Sequence, residues 1–197
     1  MNKLFSAFLL ILIHLSLSLS CPTWDFECGC LQGWSRTGTA FRYQPTYKDN
    51  PTARNRGQPS KHQGGYWIGG YEKYTGQVGN PGDVQGDGPQ GTMTSQTFRI
   101  YSRYISFLIG GGCGPGVRLE LLVEGVVRFS SHGNCHETME RKRWNVSAYK
   151  GKNAKIRAVD YESGGWGHIN FDDINFYGVV WSIPHYFGIS CYLGAWM

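Results

Sequence analysis

Charged residues are scarce in this sequence. Asp, Glu, Lys and Arg make up 17% of the 197 residues, and the formal net charge is +5. Basic residues are scattered, apart from the triplet Arg141-Lys142-Arg143. Such a short run is typical of a solvated strand end, whereas nucleic-acid-binding proteins carry a broad basic face. The composition therefore predicts no nucleic-acid partner.

Common catalytic motifs are missing as well. The sequence has no Gly-x-Ser-x-Gly, no His-Glu-x-x-His and no phosphate loop, because Gly110-Gly111-Gly112 is followed by Cys113-Gly114 without the required Lys. A glycosidase would need a carboxylate pair drawn from residues such as Glu120, Glu137 and Glu140, which no pattern singles out. We therefore expect a non-catalytic protein, with a glycoside hydrolase as the weakest alternative.

Long amphipathic helices are also lacking, and glycine and aromatic residues take their place. The chain contains 28 Gly, and 15% of its residues are aromatic. This composition favours short strands joined by tight turns. The region from Arg42 to Pro89 is rich in turn formers such as Asn80-Pro81-Gly82, so we expect long loops there, where binding residues often lie.

The two ends of the chain differ from its middle. Residues 1–20 combine Lys3 with an apolar, Ser-rich stretch and are expected to be a signal peptide, which predicts a secreted, extracellular protein. Residues 21–176 form the predicted module. Residues 177–197 are an apolar tail, interrupted by Pro184, that makes a poor membrane span. An added strand, an interface segment and a non-native end all remain open for this tail.

Six cysteines fit an oxidising compartment. Cys113 and Cys135 flank a predicted hairpin and are expected to form a disulfide, whereas the pairing among Cys21, Cys28, Cys30 and Cys191 stays open. Asn145-Val146-Ser147 is a glycosylation sequon, usable in a eukaryotic secretory route.

Several short apolar runs alternate as strands do. Val117 to Val123 places Val and Leu on one face and Arg118 and Glu120 on the other. Glu124-Gly125 then turns into a second strand. The other predicted strands are 65–69, 92–100, 104–109, 144–146, 154–160 and 169–176. Together they predict an all-β fold, an antiparallel jelly-roll sandwich.

Carboxylates occur in both terminal segments of this predicted sandwich. Glu27 lies in Trp24-Asp25-Phe26-Glu27, interpreted as the first strand, and Asp172 and Asp173 lie in the last. First and last strands commonly run side by side, so these carboxylates would meet. Calcium takes six to eight oxygen ligands, so we expect a structural calcium site at Glu27, Asp172 and Asp173.

The order of several motifs is similar to that of a known family. They are Trp24-Asp25-Phe26-Glu27, Leu31-Gln32-Gly33-Trp34, Gly38-Thr39-Ala40-Phe41, the run 105–112, Glu137-Thr138-Met139 and the run 164–173. This sequence resembles galactose-binding-like β-sandwich modules, which accompany levanase-type glycoside hydrolases and occur in secreted proteins of marine invertebrates. The resemblance covers about residues 23–176. It departs from the pattern at Cys28-Gly29-Cys30, where an acidic residue is usual.

The resemblance implies a carbohydrate-binding or adhesion module with calcium between its terminal strands. The densest group of residues suited to sugars is Tyr66, Trp67, Tyr71, Glu72 and Tyr74, because flat rings stack on sugar C–H faces and charged groups bind hydroxyls. Trp34, Trp144 and Trp166 are expected in the core, and His168 within the last hairpin. The predicted function is glycan or extracellular-matrix binding, with a structural or protein-interaction role in the matrix as the alternative.

Overall fold

A computed structural model describes residues 24–177 of the chain. The predicted signal peptide, Cys21, Cys191 and the tail beyond Tyr177 lie outside this range. Within it, the strands are β1 (Trp34–Gly38), β2 (Thr46–Tyr47), β3 (Tyr66–Gly69), β4 (Gly91–Ser95), β5 (Phe98–Arg99), β6 (Tyr104–Gly111), β7 (Val117–Val123), β8 (Val126–Ser131), β9 (His136–Asn145), β10 (Asn153–Asp160) and β11 (Ile169–Tyr177). A four-residue helix, α1 (Asn50–Ala53), and a 3-10 turn at Ser147–Tyr149 complete the described elements.

The strands form two antiparallel sheets. The first has the order β1-β4-β10-β7-β8, with β5 also paired to β10, and the second has the order β2-β3-β11-β6-β9. The inner faces of both sheets meet in one core that includes Phe26, Phe107, Leu121 and Phe171, each fully buried. The predicted all-β, antiparallel jelly-roll sandwich is confirmed.

The alternating apolar pattern explains which faces pack. In β7, Val117, Leu119 and Leu121 are fully buried, and in β6 Ile105 and Phe107 face them from the other sheet. Burying side chains of this size contributes about 1.5–3 kcal/mol each. Glu124 and Gly125 both have positive φ, as the two-residue turn between β7 and β8 requires.

The first predicted strand is absent from the structure, and this corrects the sequence interpretation. Trp24 to Glu27 is a bent segment, in which Phe26 has a φ of 57° and a disulfide joins Cys28 to Cys30. A left-handed residue beside a two-residue bridge is incompatible with an extended ladder. The segment still reaches the last strand, because the Ile174 amide donates to the Trp24 carbonyl at 3.0 Å.

Two other strand boundaries differ from prediction. The expected strand 92–100 is divided into β4 and β5, and the expected strand 144–146 is the end of β9, which begins at His136. The signal for β9 was obscured because its charged run Glu140 to Arg143 is largely solvent-exposed. The predicted disulfide between Cys113 and Cys135 is present and joins the connections at the ends of β6 and β9.

A loop over residues 48–65, which includes α1, lies on the outer face of half of the second sheet. Asp49 caps α1 by accepting from the Thr52 amide, and it also accepts from the Ser60 amide at 3.0 Å. The loop contacts the sheet where the Met139 amide donates to the Ser60 carbonyl and the Gln63 amide donates to Asp172. As a result Asn170 and Asp172 are fully buried, although they point away from the central core. No helix between residues 24 and 177 is long and apolar enough to cross a membrane.

Candidate functional site

A pocket of about 260 Å³ lies where this loop meets the start of β9 and the start of β11. Its walls come from four parts of the chain: the segment after α1, the connection between β3 and β4, the start of β9 and the turn before β11. The lining residues are Arg54, Arg56, Tyr71, Asp87, Glu137, Gly165, Trp166 and His168. The pocket therefore combines two aromatic rings with five ionisable side chains.

Arg54 organises the floor of the pocket. Its Nη2 lies 3.0 Å from Oε1 of Glu72 and 2.6 Å from Oε1 of Glu137, and both carboxylates are buried. Its guanidinium also covers the Tyr71 ring, 4.8 Å from the centroid. Asn50 donates to the other oxygen of Glu72 at 2.6 Å. Burial raises the pKa of Glu72, against the lowering effect of Arg54.

His168 forms the second charged part of the pocket. Its Nδ1 lies 2.6 Å from Oδ1 of Asp87, and its Nε2 lies 3.4 Å from Oε2 of Glu137, an ion-pair distance without hydrogen-bond geometry. Burial lowers the pKa of His168, but the two carboxylates overcome it and raise the pKa to about 9. Burial likewise raises the pKa of Glu137, yet His168 and Arg54 lower it to about 2. Both groups are therefore charged at neutral pH.

Two aromatic rings flank these charges. The His168 ring lies 5.2 Å from that of Tyr71 and 5.6 Å from that of Trp166. Arg56 covers the Trp166 ring at 5.3 Å and lies 3.7 Å from Glu137. Both rings are partly exposed.

Buried polar atoms without partners concentrate beside this pocket. Among the described residues, Arg54 Nε, His168 Nε2 and Asn170 Oδ1 have no hydrogen-bond partner, although Asn170 donates to Glu137 at 3.1 Å. Asp160, a buried carboxyl that interacts with the His168 charge, has both oxygens unpartnered. Unpaired buried polar atoms are uncommon in folded proteins, so their grouping here marks the region as specialised.

The structure separates the aromatic group that the sequence placed together. Tyr71 lines the pocket, whereas Glu72 does not line it and is fully buried under Arg54. Trp67 is fully buried, stacks on His62 and donates to the Lys48 carbonyl at 2.9 Å, so its ring face is not available to a sugar.

Tyr66 and Tyr74 pack against a different residue. Both contact Tyr47, at centroid distances of 4.8 and 6.0 Å. Of the five residues expected to bind a ligand, Tyr71 is therefore the one that lines this pocket.

Several pocket residues carried weak signals in the sequence. Trp166 was expected in the core but is only partly buried, whereas Trp144 is buried as expected. Glu137 was considered only as half of a carboxylate pair, and Glu120 in fact pairs with Arg118 and Arg157 on the other sheet. Arg54, Arg56 and Asp87 lie in the turn-rich region 42–89, where composition indicates loops but not which side chains converge.

The three predicted calcium ligands do not share one environment. Glu27 accepts from the amides of Gly65 and Tyr66 at 2.9–3.0 Å, and Asp172 accepts from the Gln63 amide at 2.8 Å. Burial raises the pKa of Asp172 well above its usual value, and the charges of Asp173 and Glu27 add to this. Asp173 instead forms an ion pair with Arg141.

A β-bulge in β11 begins after Asp172 and includes Asp173. Glu27 and Asp172 interact, and between residues 24 and 177 neither has a cationic partner, so the pair suits a hard cation. In the same range, however, no cluster of three or more His, Cys, Asp or Glu side chains is arranged to hold a metal. A calcium ion there would need backbone or water oxygens as well.

Comparison with known proteins gives limited matches. No protein-family model matches the chain. Among curated proteins, "Putative glycosyl hydrolase ecdE" of Aspergillus rugulosus is 40% identical over 94 residues, which is 47% of this chain. The chain spans 13% of the length of that relative.

Solved structures similar to this chain include two carbohydrate-binding modules and an adhesin domain. A family 61 carbohydrate-binding module in complex with β-1,4-galactotriose has a TM-score of 0.47 and 18% identity, with 76% of this chain and 91% of that chain covered. The K2 cleaved adhesin domain of Lys-gingipain has a TM-score of 0.42 and 13% identity, with 78% of this chain and 96% of that chain covered. A family 35 carbohydrate-binding module from an environmental isolate has a TM-score of 0.32 and 14% identity, with 49% of this chain and 72% of that chain covered. The chain is thus similar to β-sandwich modules of the class that its sequence resembles, at levels that carry no argument about its ligand.

Proposed function

We propose that this chain is a secreted, non-catalytic module that binds a neutral glycan in the pocket between Tyr71 and Trp166. The observation that carries this proposal is the pairing of two partly exposed aromatic rings with fixed charged groups in one concave site. Aromatic rings stack on the C–H faces of sugars, and charged groups held by neighbours bind hydroxyls without a large loss of side-chain entropy.

The size of the pocket favours the end or a single ring of a glycan. Its volume of about 260 Å³ is below the range of about 300–1,000 Å³ that is usual for drug-sized ligands. Arg54, Glu137 and His168 are each held by at least two neighbours, so they present donors and an acceptor in fixed positions.

The charge states argue against hydrolysis. A glycosidase needs an acid that is protonated near neutral pH beside the scissile bond, together with a second carboxylate. The pKa of Glu137 is about 2, so this carboxylate is ionised. Burial raises the pKa of Glu72 and of Asp160, but both carboxyls are buried and neither lines the pocket, so neither reaches a bound glycan. The partial match to a glycosyl hydrolase covers only a small part of that protein and does not alter this reasoning.

The test is binding of the full chain to a panel of neutral polysaccharides that includes β-1,4-galactan and levan. We expect Trp166→Ala to weaken binding by about tenfold or more, since stacking and pocket shape are both lost. Tyr101→Ala is the matched control, because Tyr101 is 53% exposed and lies outside the pocket. If the folded protein binds no neutral glycan, or if both variants weaken binding equally, the proposal is wrong. A role in protein contacts within the matrix would then be the remaining candidate.

A structural calcium site at Glu27 and Asp172 is part of the same proposal. The Glu27 and Asp172 carboxylates interact beside residues 63–66, and between residues 24 and 177 neither forms an ion pair with a cationic side chain. Calcium would supply the missing positive charge and join the start of the described chain to its last strand.

A further inference from the structure

A second groove lies on the uncovered half of the outer face of the second sheet, away from the glycan pocket. It has a volume of about 500 Å³ and is lined by Tyr104 and Ser106 of β6 and by Arg141, Lys142 and Arg143 of β9. The two strands are paired so that Ser106 lies opposite Arg143 and Leu108 lies opposite Arg141. Arg141 and Arg143 therefore project from the same face of the sheet. The triplet Arg141-Lys142-Arg143 is thus both a solvent-exposed part of β9 and one wall of a groove.

Arg143, which lines the groove, and Arg103, which stacks on the same Tyr104 ring, lack an acidic partner in the described part of the chain. Arg141 forms an ion pair with Asp173, but within residues 24–177 no carboxylate lies within ion-pair distance of Arg103, Lys142 or Arg143. The Lys142 ammonium donates to the His132 carbonyl, a neutral acceptor, at 2.7 Å. Placing like charges side by side is unfavourable, so a bound anion would relieve this repulsion.

Tyr104 positions two of the guanidinium groups. Arg103 and Arg143 each cover the Tyr104 ring, with the carbon of each guanidinium 5.2 and 5.1 Å from the centroid. Stacking restricts these long side chains while leaving their planar N–H edges free to donate. Planar guanidinium edges match the geometry of sulfate, phosphate and carboxylate oxygens.

Ser106 gives a second and independent indication of a ligand. It lines the groove and is 4% exposed, and its hydroxyl has no hydrogen-bond partner in the described part of the chain. A buried hydroxyl without a partner costs free energy, so the groove holds an unused donor beside Arg143.

We propose that this groove is a second binding site, which takes the oxyanion groups of an acidic polysaccharide through Arg103, Arg143 and Ser106. A single-stranded nucleic acid fits less well, because base stacking needs several ring faces along the strand and Tyr104 is the one aromatic residue of the described chain that lines this groove. The site is separate from the glycan pocket and does not depend on its function.

The experiment measures binding of the full chain to heparin, which carries sulfates, and to polygalacturonate, which carries carboxylates, with neutral dextran as the uncharged control. We expect at least one acidic polymer to bind, with an affinity that falls as salt rises. Arg103→Gln/Arg143→Gln should weaken this binding about tenfold or more. The matched control is Arg128→Gln/Lys155→Gln, which removes two exposed charges from the other sheet and should weaken it about twofold or less.

Three results would overturn the proposal. They are the absence of binding to either acidic polymer, equal weakening by the two double variants, and binding of single-stranded DNA as tight as that of the better polysaccharide. If the Gln variant fails to fold, Arg103→Lys/Arg143→Lys keeps the charge and loses the planar groups, and unchanged binding by that variant would contradict the site. Trp166→Ala should leave acidic-polymer binding intact, which separates this test from that of the glycan pocket.

Discussion

Single carboxyl groups in this protein behave differently because their surroundings differ. Glu137 and Asp160 are both almost fully buried. Arg54 and His168 surround Glu137 and lower its pKa to about 2. Burial raises the pKa of Asp160 to about 7, because the His168 charge and the Glu162 backbone compensate only in part. Position in the network therefore decides which carboxyl is charged.

The raised pKa of Asp160 predicts a loss of stability as pH rises. The pKa of Asp160 is 3.8 in the unfolded chain and about 7 in the folded one. Its contribution to the stability of the folded state is therefore complete below pH 3.8 and is lost as pH rises through 7. The loss is at most about 4 kcal/mol. Asp160→Asn cannot ionise, so the difference in free energy of unfolding between pH 5 and pH 8 should shrink in this variant. Urea unfolding at both pH values measures it.

Glu140→Gln serves as the control for this prediction. Glu140 is an exposed residue of β9, in the other sheet, and its replacement should preserve the wild-type pH profile. An Asp160→Asn profile that parallels the wild type would contradict the proposed titration.

At the scale of the elements, the two described disulfides close loops of very different size. The bond between Cys113 and Cys135 spans 22 residues and encloses the β7–β8 hairpin, whereas the bond between Cys28 and Cys30 spans two. The larger loop is the part of the chain that leaves the second sheet after β6 and returns to it at β9. Constraining a longer loop removes more entropy from the unfolded chain.

We therefore expect Cys113→Ser/Cys135→Ser to lower the free energy of unfolding by about 3 kcal/mol. The matched variant Cys28→Ser/Cys30→Ser should cost about 1 kcal/mol in the same model. Denaturant unfolding under non-reducing conditions compares them. Equal losses from both pairs would show that loop size does not determine their contributions.

Elements with regular alternation were predictable from sequence, and those shaped by distant contacts were not. β7 could be predicted because its apolar residues recur at every second position. The segment Trp24–Glu27 has strand-like residues, but the bridge at Cys28 and Cys30 and the left-handed Phe26 bend it. In the pocket, Arg54 contacts Glu137, 83 residues away, and Asp87 contacts His168, 81 residues away. No local sequence pattern reveals contacts between such distant residues.

At the scale of the whole molecule, two carboxylates connect the beginning and end of the described chain through one loop. Glu27 binds the amides at the start of β3, and Asp172 in β11 binds the amide of Gln63 two residues earlier than Gly65. The core alone would leave the segment 24–33 held by few backbone hydrogen bonds. This junction is therefore where a bound cation would stabilise the sandwich most.

We expect calcium to raise the melting temperature and excess chelator to lower it. The gain is roughly 3 kcal/mol when free calcium is about 100-fold above its dissociation constant. Glu27→Gln should abolish the response, whereas Asp173→Asn should keep it, because the Asp173 carboxylate pairs with Arg141. Differential scanning calorimetry with and without chelator is the measurement. Melting temperatures that do not respond to calcium would contradict the site.

The central place of β11 in the second sheet has a consequence for folding during synthesis. This last strand lies between β3 and β6, and it pairs Phe171 with Ile68, about a hundred residues earlier. Pairings between such distant segments slow folding, because the connecting chain must lose entropy before contacts are gained. Until β11 leaves the ribosome, β3 and β6 have unpaired edges. The nascent chain is therefore exposed to misassociation throughout the synthesis of most of the module.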